Sequence, residues 1–129
     1  MNELQLQIEA LKKKIVPEYW KSIDVDEGWY QIVVDCDKEL TAIDPHYQIF
    51  QIKEKFGGLR YYFQPSQSDT LKAMIEVVSK YEAIAARTCE ATGGPGVLMK
   101  SIGGWRKTLN PEYAASALHY SRYKIVEKL

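Results

Sequence analysis

Residues 47–63 limit the fold more than any other part of the chain. Two runs rich in β-branched and aromatic residues flank the dipeptide Gly57-Gly58. A glycine pair favours a two-residue hairpin turn, because both central positions of such a turn need a positive φ angle. With Gly57-Gly58 as the turn, Phe56 faces Leu59 and Lys55 faces Arg60, and the sequence predicts an antiparallel hairpin.

Side chains alternate along a strand, so this hairpin should have one apolar and one polar face. The apolar face is expected to carry Glu54 as its only charge, among Phe50, Ile52, Phe56, Leu59, Tyr61 and Phe63. The polar face is expected to carry Gln51, Lys53, Lys55, Arg60, Tyr62 and Gln64.

Helical periodicity on both sides of the hairpin predicts the cover for its apolar face. The apolar stripes run from Leu4 to Ile15, from Trp29 to Ile43 with Cys36 as a core residue, and from Leu71 to Ala85 with Met74, Ile75, Val78, Tyr81 and Ile84 between. Ser66 is expected to cap the third helix, which should extend to about Cys89.

A second, shorter hairpin is predicted after this helix. Its strands are residues 97–99 and 105–109, on either side of Gly103-Gly104. Asn110 suits a helix cap and Pro111 suits the first helical position, so a last helix is expected to reach nearly to Leu129.

Together these elements predict an α+β fold, with helices packed on a β-hairpin or small antiparallel sheet. The length of 129 residues is that of a single domain. We expect a helical arm over residues 1–27, a helix-hairpin-helix core over 28–88, and a ribbon-like hairpin with a helix over 89–129.

Composition excludes several classes of protein. The content of 46% hydrophobic and 26% charged residues is typical of a soluble globular protein. No apolar run approaches the roughly 18 residues of a membrane span, and residues 1–15 are amphipathic rather than signal-like. We therefore expect a cytoplasmic protein without membrane contacts, in which Cys36 and Cys89 are free thiols.

Three motifs resemble a group of small proteins from bacteria and their phages, over about residues 28–113. The motifs are Asp44-Pro45-His46-Tyr47, the lysine-rich hairpin phrase at residues 51–62, which is the most specific, and residues 89–109 with Gly104-Trp105.

The resemblance implies a zinc-ribbon shape after the third helix. In that family a Cys-x-x-Cys-Gly knuckle precedes a Gly-Trp hairpin and a closing pair of ligands. Here only Cys89 remains, because the other ligand positions hold Thr92, Asn110 and Tyr113. One thiolate cannot hold structural zinc. We expect a degenerate ribbon with no metal or other cofactor, and we interpret His119 as a surface residue.

Charge is unevenly distributed although the formal net charge is zero. Residues 1–47 contain five basic and ten acidic residues, whereas residues 97–129 contain six basic and two acidic ones. Either the two ends pack together, or the basic end meets an anionic partner. The sequence lacks the strong excess of basic residues that is typical of duplex-DNA-binding proteins, which argues against duplex DNA as the partner.

No catalytic arrangement stands out in the sequence. His46 and His119 lie outside any nucleophile motif, and neither glycine cluster has the pattern of a phosphate loop. We therefore expect a binding protein and not an enzyme.

The polar face of the first hairpin is the best candidate site, because Lys55 opposite Arg60 is an unfavourable pair of like charges. Acidic residues such as Asp24, Asp26 or Glu27 are one source of compensation, and an anionic ligand is the other. The expected ligand-binding residues are Lys53, Lys55, Arg60, Tyr62, Trp105, Arg106 and Lys107.

Three functions fit these residues. The first is binding of an anionic, nucleotide-like small molecule, which in a phage would make the protein an anti-defence protein that sequesters a host signal. The second is a protein–protein inhibitor or adaptor that docks on a host protein through its aromatic and basic hairpins. The third is binding of single-stranded nucleic acid. The apolar stripe from Leu4 to Ile15 is also compatible with self-association of the chain into a homo-oligomer.

Overall fold

The computed structural model describes residues 1–19 and 21–126, and it confirms the predicted α+β class. Two small sheets are combined with four helices in the described part of the chain. The helices are α1 (Glu3–Lys12), α2 (Tyr30–Ile43), α3 (Leu71–Ala85) and α4 (Pro111–Ser116). The strands are β1 (Ile23–Asp24), β2 (Gln48–Lys55), β3 (Gly58–Gln64), β4 (Val97–Lys100), β5 (Arg106–Leu109) and β6 (Lys124–Ile125).

The first sheet has the order β1-β2-β3, in which β2 and β3 form the predicted antiparallel hairpin and β1 runs parallel to β2. Helix α2 packs between α1 and α3, and α3 also contacts β3. The main core lies between these helices and the sheet, and its fully buried members include Trp29, Val33, Leu40, Ile49, Ile52, Leu59 and Met74. The expectation that helices cover the apolar face of the hairpin is thus confirmed.

The turn of the first hairpin lies one residue earlier than the sequence predicts. Lys55 pairs with Gly58 and Lys53 pairs with Arg60. Phe56 and Gly57 therefore form the turn, with φ angles of 54° and 84°. The predicted pairs of Lys55 with Arg60 and of Phe56 with Leu59 are wrong.

A local hydrogen bond and a long-range contact favour the observed turn. The backbone N–H of Gly57 donates a hydrogen bond to Glu54 Oε2 at 2.6 Å. Gly57 also packs against β4 so closely that a Cβ atom there would lie 2.5 Å from Leu98 Cδ1. Because φ is positive and a Cβ atom would require Leu98 to shift, this position favours glycine.

Two phenylalanines assigned to the apolar face lie elsewhere. Phe56 is in the turn and is 69% exposed. A β-bulge between Ile49 and Gln51 turns Ile49 into the core, and Phe50 instead stacks on Tyr19 with ring centroids 5.2 Å apart. A bulge adds one residue to a strand and so reverses the alternation beyond it.

Helix α3 differs from its prediction at both ends. Ser66 does not cap it, because its backbone N–H and hydroxyl both donate to Asp44, at 2.7 and 2.6 Å. A 3-10 turn at Ser68–Thr70 leads into the helix, which ends at Ala85 rather than near Cys89. On the predicted stripe, Leu71 and Ile75 are exposed, while Met74, Val78 and Ala85 are buried.

The second sheet has the order β5-β4-β6, and its β4–β5 hairpin confirms the predicted one. Asn110 caps α4 as expected, by accepting a hydrogen bond from the Tyr113 backbone N–H. The prediction of a long last helix is wrong, because α4 ends at Ser116 and β6 pairs with β4. Residues 127–129 of that prediction lie outside the described part. No helix among residues 1–19 and 21–126 is both long and apolar enough to cross a membrane.

Candidate functional site

A groove of about 440 Å³ lies between the turn of the β2–β3 hairpin and the β4–β5 loop. We call it the tip groove. It is lined by Glu54, Lys55, Phe56, Gly103, Gly104, Trp105 and Arg106. Its volume falls within the roughly 300–1,000 Å³ that is typical of small-molecule sites.

The two hairpins are held together directly beside this groove. The Thr108 hydroxyl is buried and donates a hydrogen bond to the Gly57 carbonyl at 2.7 Å. Leu98 packs on the same glycine. These contacts fix the turn of the first hairpin against the second sheet, so the groove forms between two anchored elements.

Two exposed aromatic rings line the tip groove. Phe56 is 69% and Trp105 is 76% exposed. The backbone around Trp105 is fixed by hydrogen bonds with Ser101, whose N–H donates to the Trp105 carbonyl at 2.9 Å and whose Oγ accepts from the Trp105 N–H at 3.1 Å. A large aromatic ring on an anchored loop offers a planar surface on which another ring can stack.

Phe56 occupies a backbone conformation that disfavours its side chain. Both central residues of its turn have positive φ, and asparagine or glycine is the usual choice at such positions. An L-residue with a Cβ atom costs about 1–2 kcal/mol in this region. Residues held in such conformations cluster at functional sites. The exposed phenylalanine thus contributes strain without contributing to the core.

Lys55 and Arg106 supply the positive charge of the tip groove. Both are exposed, and neither forms an ion pair with any residue that the structure describes. Lys55 Nζ lies 5.5 Å from the centroid of the Phe56 ring. The groove's one carboxylate, Glu54, accepts the Gly57 N–H. The arrangement is suited to a ligand that has both an anionic group and a planar ring.

Lys107, one of the predicted ligand-binding residues, is mostly buried and engaged by two carboxylates. Its Nζ is 3.0 Å from both Asp26 Oδ2 and Glu90 Oε1. Glu90 is 1% exposed, and its Oε2 accepts the Asp26 N–H at 2.9 Å. Burial alone would lower the pKa of Lys107, but the two carboxylates raise it above its ordinary value. Lys107 therefore connects the second sheet to the N-terminal third of the chain.

The remaining predicted residues, Lys53, Arg60 and Tyr62, are not among the groove lining. Lys53 is half-buried opposite Arg60, and the register of β1 places Asp24 on its other side. Burial raises the pKa of Glu82, and the nearby positive charge of Arg60 opposes that shift. Acidic residues therefore lie close to both of these basic ones, while Tyr62 is exposed.

The four positions that the resemblance predicts as zinc ligands come together around Cys89. Burial opposes ionisation of its thiol, yet hydrogen bonds from the Thr92 hydroxyl and from the backbone N–H groups of Asn110, Thr92 and Ala91 lower its pKa. Tyr113 packs against the same small cluster. Within the described residues, no group of three or more His, Cys, Asp or Glu side chains is placed to hold a metal ion.

Sequence reasoning missed Glu54 and Phe56 as groove residues. The glycine pair allows two turns, and the contacts of Gly57 with Glu54, Leu98 and Thr108 favour the observed one. The structure brings Lys55, Trp105 and Arg106 of the predicted site together. No protein family, curated protein or solved structure was found to match this chain.

Proposed function

We propose that this protein is a non-enzymatic binding module that holds a nucleotide-like anion in the tip groove. The observation that carries the proposal is the combination of two exposed aromatic rings, Phe56 and Trp105, with two basic residues, Lys55 and Arg106, in one groove. A base would stack on the rings, and a phosphate would bind to the basic side chains.

The chemistry of each part supports this ligand class. Arg106 carries a planar guanidinium that can donate two parallel hydrogen bonds to phosphate oxygens. Lys55 is a flexible point charge on the opposite hairpin. Stacking on aromatic side chains contributes about 1–3 kcal/mol per base. Because Glu54 also lines the groove, its carboxylate can accept a hydrogen bond from an amino or hydroxyl group of the ligand.

The composition of the groove supports binding rather than catalysis. Its described lining has one carboxylate and neither a histidine nor a cysteine. General acid–base catalysis needs a group that gains and loses a proton in reach of the reacting atoms. Glu54 is the one carboxylate candidate, and its Oε2 already accepts a backbone N–H at 2.6 Å.

A titration with adenosine 5′-monophosphate (AMP), followed by tryptophan fluorescence, tests the proposal. AMP should quench Trp105 saturably and bind more tightly than inorganic phosphate or adenosine, since each of these has only half of the required chemistry. Arg106→Ala and Lys55→Ala should each weaken AMP binding about tenfold, because a charge-assisted hydrogen bond contributes about 1.5–3 kcal/mol.

Lys72→Ala is the matched control, because Lys72 is an exposed lysine of α3 outside the groove. It should leave the affinity unchanged. If neither AMP nor the other three ribonucleoside monophosphates bind saturably, or if Lys72→Ala weakens binding as much as Arg106→Ala, the proposal is wrong.

The exposed loop between β4 and β5 favours a second candidate, docking on another protein. Ile102 is 86% exposed beside Trp105, and aromatic residues are enriched at the centres of protein interfaces. The salt dependence of the binding affinity distinguishes nucleotide binding from protein docking. Affinity for a nucleotide held by Lys55 and Arg106 should fall as salt rises, whereas an apolar protein interface should be less sensitive.

A further inference from the structure

Three basic residues stand side by side across the second sheet. Arg106 on β5 pairs with Lys100 on β4, and Lys100 pairs with Lys124 on β6. All three are exposed. Paired residues project from the same face of a sheet, and neighbouring strands are about 4.8 Å apart. The three residues, which we call the cationic row, therefore span about 10 Å between the outer strands.

Like charges directly opposite each other destabilise a sheet. None of the three residues of the cationic row forms an ion pair with another described residue. This contrasts with Lys107, the next residue along β5, which faces the other way and binds two carboxylates. Within residues 1–19 and 21–126, the cationic row thus has no carboxylate paired with it, whereas Lys107 has two.

The cationic row continues the tip groove. Two residues before Lys100 and two after Arg106, on the same face, Leu98 and Thr108 contact the turn of the first hairpin. Arg106 lines the tip groove. Lys100 and Lys124 line a second groove of about 520 Å³, together with Arg122. Since Arg106 and Lys100 are paired, the two grooves are adjacent on the second sheet.

We propose that the ligand is a single-stranded nucleic acid of several nucleotides, whose phosphates follow the cationic row while one base stacks in the tip groove. This inference rests on the proposed function, because it extends the same groove. A row of regularly spaced positive charges fits a chain of phosphodiesters better than a single phosphate. Exposed aromatic rings stack on unpaired bases with little sequence preference, which favours a single strand over a duplex.

The test compares fluorescently labelled hexa-adenylate, measured by anisotropy, with AMP, measured by tryptophan fluorescence. Hexa-adenylate should bind at least tenfold more tightly than AMP. Lys100→Ala and Lys124→Ala should each weaken hexa-adenylate binding severalfold and leave AMP binding within twofold of wild type. Arg106→Ala should weaken both ligands, and Lys72→Ala should weaken neither.

Salt dependence gives a second, independent measurement. The slope of log K against log salt concentration should be steeper for hexa-adenylate than for AMP. Each phosphate contact on a single strand contributes about −0.7 to that slope. Lys100→Ala and Lys124→Ala should each reduce the slope by about this amount. Both variants remove a like-charge contact, so circular dichroism should show melting temperatures no lower than that of wild type.

Each failure has a distinct meaning. If AMP binds but hexa-adenylate binds no more tightly, or if Lys100→Ala changes neither ligand, the extended site is wrong and the tip groove stands. If neither ligand binds, both proposals are wrong. If hexaglutamate binds as tightly as hexa-adenylate, the row is a general anion surface and the assignment to nucleic acid is overturned.

Discussion

Glu90 Oε1 lies 3.0 Å from Lys107 Nζ, in a part of the structure where Glu90 is almost completely buried. Arg106, the preceding residue, lies on the opposite face of β5 and is exposed. Strand alternation therefore gives two adjacent basic residues different roles, one in holding the fold together and one in the candidate site.

Lys107→Ala should destabilise the protein strongly, because it leaves the buried Glu90 carboxylate without its partner. Breaking a buried ion pair in this way costs about 3–5 kcal/mol. Arg106→Ala is the matched control and should change the free energy of unfolding by less than about 0.5 kcal/mol. Urea denaturation measures both. The double variant Lys107→Met with Glu90→Gln removes both charges and keeps an acceptor for the Asp26 N–H, so it should recover most of the loss. Equal effects of Lys107→Ala and Arg106→Ala would contradict the internal role.

Phe56→Asn should make the protein more stable and a weaker binder. Asparagine tolerates the positive φ of this turn position, so the free energy of unfolding should rise by about 1 kcal/mol. The loss of the exposed ring should weaken AMP binding at the same time. Phe56→Tyr keeps both ring and strain, and it should match wild type in both measurements. A Phe56→Asn protein that binds AMP like wild type would show that the ring is not part of the site.

Ionisation of Asp44 should make the free energy of unfolding depend on pH in the acid range. The hydroxyl and backbone N–H of Ser66 hold the pKa of its carboxyl below the ordinary value of 3.8. The unfolded chain then binds the proton more readily, so the contribution of Asp44 is complete above pH 3.8 and is lost as the pH falls through the folded-state pKa. Asp44→Asn should therefore be less stable than wild type at pH 7.

The difference in free energy of unfolding between Asp44→Asn and wild type should narrow in urea titrations carried out below pH 3.8. Asp69→Asn, at an exposed position of the Ser68–Thr70 turn, is the control and should show little difference from wild type at either pH. A difference for Asp44→Asn that stays constant with pH would mean that its carboxylate contributes nothing through ionisation.

Cysteines at the ligand positions that the resemblance predicts should create a metal site around Cys89. The triple variant Thr92→Cys, Asn110→Cys, Tyr113→Cys should bind Co²⁺ with the visible absorption of tetrahedral thiolate coordination. Adding Cys89→Ser should weaken that absorption. Wild type should keep its melting temperature in a strong chelator. If the triple variant folds but binds no cobalt, these positions are not a ligand set and the resemblance to a zinc ribbon is superficial.

Local patterns were sufficient to predict most elements of the fold. The stripe on α2 depends on periodicity alone and was confirmed. The predicted alternation was wrong at two positions of the first hairpin, because a bulge between Ile49 and Gln51 and the turn at Phe56 interrupt it. The predicted turn at Gly57-Gly58 was wrong, because the observed turn at Phe56-Gly57 packs Gly57 against Leu98, which is 41 residues away in the sequence. The predicted cap at Ser66 failed for a similar reason, since its hydroxyl binds Asp44 from another segment.

The candidate site could be predicted only in part. Basic and aromatic residues on two hairpins indicate an anionic ligand, but the sequence does not show which of these side chains line the same groove. Lys55, Trp105 and Arg106 line one groove, while Lys107 binds Glu90 in the interior. The sequence did not predict the pairing of Lys100 with Lys124. The segment around Lys124 is helical in the sequence-based prediction, whereas in the structure it forms β6 and pairs with β4.

Chemical-shift mapping tests most directly whether the tip groove is the ligand site. In a ¹H–¹⁵N spectrum, AMP should shift the indole N–H of Trp105 and the backbone amides of Lys55, Phe56 and Arg106, with one common saturation curve. Shifts confined to Lys53, Arg60 and Tyr62 would place the site on the face of the first hairpin, away from the groove. No saturable shift at any of these residues would contradict nucleotide binding altogether.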